Sequence, residues 1–156
     1  MQEDILVYWL WLVMVMGFAN KQTVPLLRQH PDITKLYSLM QQPDCTFLNE
    51  TQKKRIRQNP LSKAAEILEL CRKKEMQVIT CQDALYPERL LQIYSPPAVL
   101  FCQGKPEVLR NPIPLTVVGT RHPSEYSIRT TKRLCSELAE AGCMLVSGGA
   151  LGLDSL

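Results

Sequence analysis

Two short segments of this chain carry residue types that could do chemistry; one opens on a glycine and the other holds three. The first is Gly119-Thr120-Arg121-His122-Pro123-Ser124; the second is Ser147-Gly148-Gly149-Ala150-Leu151-Gly152, followed closely by Asp154. Glycine lets backbone N–H groups approach an anion closely, and a helix N-terminus adds positive potential. Arg121 presents a planar fork of donors that matches phosphate oxygens, while Thr120, Ser124 and Ser147 supply hydroxyls. Together these residues suit a phosphate-bearing ligand, either a nucleotide or a nucleic-acid backbone. Glycines after parallel strands also serve tight turns, so the two readings stand side by side. Neither G-x-G-x-x-G nor G-x-x-x-x-G-K-[ST] occurs, which removes the dinucleotide fingerprint and the P-loop.

Other chemistries find less support. Ser147 lacks a G-x-S-x-G elbow, and the two histidines, His30 and His122, both precede it. His122 reads as a loop residue beside Pro123. Tyr126 suits base stacking or, alternatively, helix packing. No metal-ligand cluster is visible, and no catalytic residue or cofactor is assigned. The six cysteines (Cys45, Cys71, Cys81, Cys102, Cys135 and Cys143) include no C-x-x-C pair. Four of them lie in apolar runs, and the pattern reads as reduced, buried thiols in a cytosolic protein.

The elements that must position the glycine segments follow from hydrophobic pattern. Leu115 to Gly119 is a continuous apolar run of the kind a buried parallel strand shows, and Met144 to Val146 is a second strand. Between them, Glu125 to Ala141 is an amphipathic helix with Ile128, Thr131, Cys135 and Leu138 on one face and Gly142 at its end. Strand, helix, strand makes one βαβ unit, with a right-handed crossover expected. Both glycine segments would then emerge at the carboxyl edge of the sheet, where open parallel sheets bind ligands. Further upstream, Gln77 to Thr80 and Ala98 to Cys102 read as strands.

The first 76 residues read differently. Ile5 to Met16 is an unbroken apolar run of twelve, too short to span a bilayer and preceded by Glu3 and Asp4 rather than by basic residues. It is expected to be a buried helix or an exposed hydrophobic liability. Its start is favoured by Glu3 or Asp4, and Gly17 breaks it. Short helices are expected at Val24 to Arg28, Ile33 to Met40 and Phe47 to Ile56, and a longer one at Leu61 to Glu75 with Ser62 as its N-cap. The fold class is therefore α/β, with a small helical module over residues 1–76 and the opening of a parallel-sheet domain over 77–156.

Length, at 156 residues, and composition, 46% hydrophobic and 21% charged, exclude wholesale disorder. The net charge of +3 is unevenly spread. Residues 51–75 hold eight basic and three acidic side chains, a local +5 that leaves −2 elsewhere. That segment suits either a polyanion or a solvated helix surface.

The order of motifs resembles the DprA/Smf family of DNA-processing proteins. Tyr86-Pro87, Leu90-Leu91, Pro96-Pro97 before Val99-Leu100-Phe101, and Gly104 look like its lead-in. Val117-Val118-Gly119-Thr120-Arg121 with Ser124 and Tyr126 is similar to its Val-Gly-Ser-Arg, Ser-x-Tyr-Gly signature, and Ser147 to Asp154 to its Ser-Gly-Leu-Ala-x-Gly-Ile-Asp stretch. Tyr8-Trp9-Leu10 and Gly17 match the start of its SAM-like helical domain. The resemblance implies an extended Rossmann-like fold, cytoplasmic and not an enzyme, that binds single-stranded DNA and loads the RecA recombinase onto it in natural transformation. It implies a DNA-binding set of Gly119, Thr120, Arg121, Ser124, Ser147, Gly148 and Gly149, with Arg121 as the phosphate clamp and no metal or cofactor. The chain's end falls inside the second signature. The remaining strands, and the surfaces for homodimerisation and RecA, are therefore expected beyond Leu156. Departures from the pattern are Thr120 for Ser, Ser127 for Gly, Gly149 for Leu, and Leu151 for a polar or basic residue. Competing readings are a nucleotide phosphoribohydrolase of the lysine-decarboxylase-like type, whose Pro-Gly-Gly-x-Gly-Thr run is missing here, a helical module that docks protein or DNA alone, and a non-functional fragment.

Overall fold

In a computed structural model, which describes residues 5–110 and 113–156, the apolar run forms helix α1, Ile5–Met16. A helix without a polar face can be stable only where it is buried all round, and eight of its twelve residues, Trp9 to Val13 among them, are buried. The helices α2 (Thr23–Gln29), α3 (Ile33–Met40), α4 (Glu50–Gln58) and α5 (Leu61–Lys73) follow, and α3, α4 and α5 pack on α1. Two aromatic edges fix the α1–α3 contact, with the rings of Tyr8 and Trp11 lying 5.2 and 4.6 Å from that of Tyr37. The indole N–H of Trp11 donates to the Asn59 carbonyl (3.0 Å), so the ring's one polar group is satisfied. Gly17 ends α1 with φ +96°, a conformation that favours glycine. The expected helix-starting carboxylates, Glu3 and Asp4, lie outside the described residues. Among the described residues no helix is long and apolar enough to cross a membrane.

Local caps set the helix starts. Asp32 caps α3, its carboxylate accepting from the Thr34 and Lys35 amides, and these bonds hold its pKa below the ordinary carboxylate value, the Thr34 hydroxyl contributing most. Asn49 and Gln52 form a reciprocal capping box on α4, with both bonds at 2.9 Å. Ser62 does not cap α5. The extended Pro60 occupies the cap position, which places Ser62 within the first turn.

Strands β1 (Met76–Thr80) and β2 (Val99–Gln103) pair antiparallel, with Met76 opposite Gln103 and Thr80 opposite Val99. This ribbon belongs to the helical core: β1 packs on α5, and β2 on α1. Tyr86, buried, donates its hydroxyl to the Pro97 carbonyl (2.6 Å), tying together the loop that joins the two strands. Burial pushes its pKa up to about 12 and that of Cys81 up to about 11. The chain thus divides into compact units of residues 1–106 and 107–156, later than the composition shift near residue 76. The strands at 76–80 and 99–103 are drawn into the first unit by their apolar faces.

In the second unit β3 (Pro114–Val117) and β4 (Met144–Ser147) pair in parallel, in register from Pro114–Met144 to Val117–Ser147. Between them runs α6, Glu125–Glu140, with Gly142 at φ +88° just past its end. Ile128, Thr131, Cys135 and Leu138 are half-buried, and no described residue of 107–156 is fully buried. All six cysteines are free thiols. Cys45 and Cys71 are buried, whereas Cys81, Cys102, Cys135 and Cys143 are only half-buried.

Candidate functional site

The parallel register of β3 and β4 brings both glycine segments to one edge of the second unit, at the carboxyl ends of the strands. What joins them is a set of bonds to the last residues of the chain. The Gly119 amide donates to Asp154 Oδ1 (3.0 Å), and the Leu153 amide donates to the Thr120 carbonyl (3.1 Å). The Ser147 hydroxyl donates to the Asp154 carbonyl (2.8 Å). Asp154 therefore holds the first loop by its side chain and the second by its backbone.

The glycines are required by this close approach. A Cβ on Gly119 would lie 2.6 Å from Leu153 Cβ, and one on Gly152 would lie 2.6 Å from Arg121 Cα. Gly152 also has φ +100°, so any side chain there meets both strain and collision. Gly149 is in the left-handed region as well, at φ +63°, with open space around its absent Cβ. A leucine at that position would be strained, which gives the departure from Leu to Gly a backbone reason.

The expected site residues are not equivalent in this geometry. Arg121 is exposed and, among the described residues, makes no hydrogen bond or ion pair. Thr120 accepts from the His122 amide at its hydroxyl oxygen (3.2 Å), leaving the hydroxyl hydrogen to donate elsewhere. Gly148 is exposed beside Asp154, and the Gly149 amide makes a long bond to the Ser147 hydroxyl oxygen (3.4 Å). Gly119 and Ser147 spend a donor each on Asp154. Ser124 is the N-cap of α6, its hydroxyl oxygen accepting from the Ser127 amide (3.2 Å) and lying 3.0 Å from the Ser127 hydroxyl. Ser127 sits in ordinary helical backbone; Glu75 is the one non-glycine among the described residues with positive φ. Tyr126 is 71% exposed, so its ring does not pack on the helix's neighbours, and Leu151 is 80% exposed.

Behind the loops a cleft of about 360 Å³ opens between the sheet and α6, lined by Val117, Thr131, Cys135, Ser147, Leu153 and Asp154. Among the described residues no group of three or more His, Cys, Asp or Glu side chains is placed to hold a metal ion. Sequence reasoning took Asp154 as the end of a motif and did not assign it a role in the site. A single carboxylate has no periodicity or spacing that reveals a clamp; only the pairing of β3 with β4 and the turn after β4 bring it to Gly119.

Comparison with known proteins places this architecture. A family described as DNA recombination-mediator protein A matches residues 77–156, just over half of the chain. The chain is 34% identical over 94 residues to the DNA processing protein DprA of Bacillus subtilis, covering 60% of this chain and 32% of that protein. It is 36% identical over 93 residues to protein Smf of Synechocystis, covering 58% and 23% respectively. It therefore spans a third or less of the length of these curated relatives. A solved structure of DNA processing protein A from Streptococcus pneumoniae superposes with a TM-score of 0.73 at 23% identity, over 97% of this chain and 52% of that one, and carries the Rossmann-like fold. With its two signature loops at adjacent parallel strand ends, the chain belongs to the DNA recombination-mediator protein A family, the DprA/Smf proteins.

Proposed function

We propose that the strand-end edge binds the phosphates of single-stranded DNA, as the contact through which the protein processes DNA for recombination. The observation that carries this reading is Arg121: a guanidinium without a partner among the described residues, exposed on a loop that Asp154 and Gly152 hold fixed. A preorganised fork of donors loses little freedom when it takes a phosphate. Arg121 supplies the charge, and the Thr120 hydroxyl and the Gly148 and Gly149 amides supply neutral donors. Gly119, Ser147 and Ser124 serve by shaping the loops, since their donors or acceptors are engaged within the unit.

The wider role is the one the family resemblance implies: protection of incoming single strands and loading of the RecA recombinase in natural transformation, in the cytoplasm and without catalysis. In that role residues 1–76 form the SAM-like module, 77–156 contribute to the Rossmann-like domain, and the protein homodimerises and contacts RecA. Names borne by the relatives, DNA processing protein among them, support the DNA part of this reading.

Fluorescence anisotropy on a labelled oligothymidylate tests it. Arg121→Ala is expected to weaken binding by roughly 10- to 100-fold, the value of a charge-assisted hydrogen bond of about 1.5–3 kcal/mol. Unchanged affinity would overturn the assignment.

A further inference from the structure

A second cleft, of about 570 Å³, lies wholly within the first unit, where the turn after α1 meets the start of α4 and the loop at Tyr94. Its lining includes Phe18, Asn20, Lys21, Gln52, Arg55 and Tyr94, and among the described residues no acidic side chain contributes to it. Tyr94 is 79% exposed and Phe18 53% exposed, although both are large rings that ordinary packing would cover. Phe18 stacks on Phe101 with ring centroids 5.8 Å apart and planes 22° apart, and Phe101 is itself exposed. The Lys21 ammonium donates to the Tyr94 hydroxyl (2.9 Å) and lies 5.3 Å from that ring's centroid. Arg55 donates one bond to the Val15 carbonyl at the end of α1 (3.3 Å), which fixes its guanidinium at the cleft.

Open aromatic faces beside fixed cations, with no acid among the described lining residues, form a platform that fits one chemistry well. A nucleobase stacks on a ring, and the phosphates on either side meet the cations. The volume accommodates a nucleotide-sized group. We infer that this cleft is a second contact for single-stranded DNA, in which Tyr94 and Phe18 stack bases and Lys21 and Arg55 take the flanking phosphates. The inference extends the strand-end reading and stands on separate residues of a separate unit.

Because Tyr94 and Phe18 are exposed, their truncation leaves the core intact, and unchanged melting curves verify this. In the full chain, Tyr94→Ala is expected to weaken oligothymidylate binding about tenfold, the scale of one lost stacking contact. Lys21→Ala is expected to weaken it less and to flatten its salt dependence. Photocrosslinking with an oligonucleotide carrying 5-iododeoxyuridine should give adducts on Tyr94 or Phe18. Affinity unchanged by Tyr94→Ala, or adducts confined to residues 107–156, would overturn the inference. So would the absence of any binding, which would also remove the strand-end site. Loss with Tyr94→Ala but not with Arg121→Ala would support this cleft while removing the other site.

Discussion

The two compact units spend similar apolar residues in different ways. In residues 1–106, α1 is wrapped by three helices and backed by a β-ribbon, and Leu12, Val15, Leu36, Ala64 and Val99 lose all contact with solvent. In residues 107–156, one helix covers one pair of strands, and the best-placed apolar side chains are only half-buried. Val118, Val146 and Leu134 stay exposed at 74%, 40% and 46%. The difference is one of layers. A sheet hides its faces only when strands extend it and helices cover both sides, whereas a central helix needs only neighbours around it. Among the described residues burial is therefore concentrated in the first unit, and the loops proposed to take phosphate sit on the unit with fewer buried side chains. Those loops keep their shape through hydrogen bonds and glycine contacts, with little help from burial.

The comparison breaks most readily at α1. Trp11→Ala removes a ring that is 1% exposed and frees the Asn59 carbonyl, and is expected to cost about 3–5 kcal/mol in chemical denaturation. A cost below about 1 kcal/mol would mean that the first unit is not the stable one. The next effect belongs to the second unit. Gly152→Ala sets a side chain against the backbone of Arg121 at φ +100° and is expected to cost about 1–3 kcal/mol locally. It should be read as faster amide exchange at Gly119 and Leu153, with α1 unaffected. Equal acceleration in α1 would show that the two units unfold as one.

The smallest effect is a pH dependence confined to the first unit. Burial raises the Cys81 thiol from 9.0 to about 11, and the Tyr86 phenol from 10.0 to about 12. Folding favours the protonated form of both groups, so their contribution is intact below pH 9 and is lost as pH rises through their raised values. The melting temperature of the first unit should begin to fall above about pH 9, and Cys81→Ala should make that fall shallower, leaving the contributions of Tyr86 and of Cys45, whose thiol burial also raises. Residues 107–156 contain neither group.

Sequence pattern reveals the elements well wherever one periodicity dominates. The run at Ile5 is legible because it is apolar all round, the helix at Glu125 because it is amphipathic, and the two parallel strands because each is a short apolar run ahead of glycine. The placement of β1 and β2 is not legible, because a short apolar strand reads alike whether it joins a parallel sheet or a ribbon against helices. Only packing on α1 and α5 decides it. The proposed strand-end site is visible through its glycines and Arg121, whose types suit a phosphate. Its clamp, Asp154, is invisible because it depends on contact across 35 residues. Ser124 and Ser62 show the same lesson from opposite sides. Both are hydroxyls near a helix start, and only Ser124 caps, because Pro60 already holds the position before Leu61.

The most direct test of the central claim, that Arg121 holds a phosphate of single-stranded DNA, is the salt dependence of binding. The logarithm of the association constant should fall linearly with the logarithm of salt concentration, and Arg121→Ala should reduce that slope by about 0.7, the share of one single-strand phosphate contact. An identical slope for the two proteins would contradict the account.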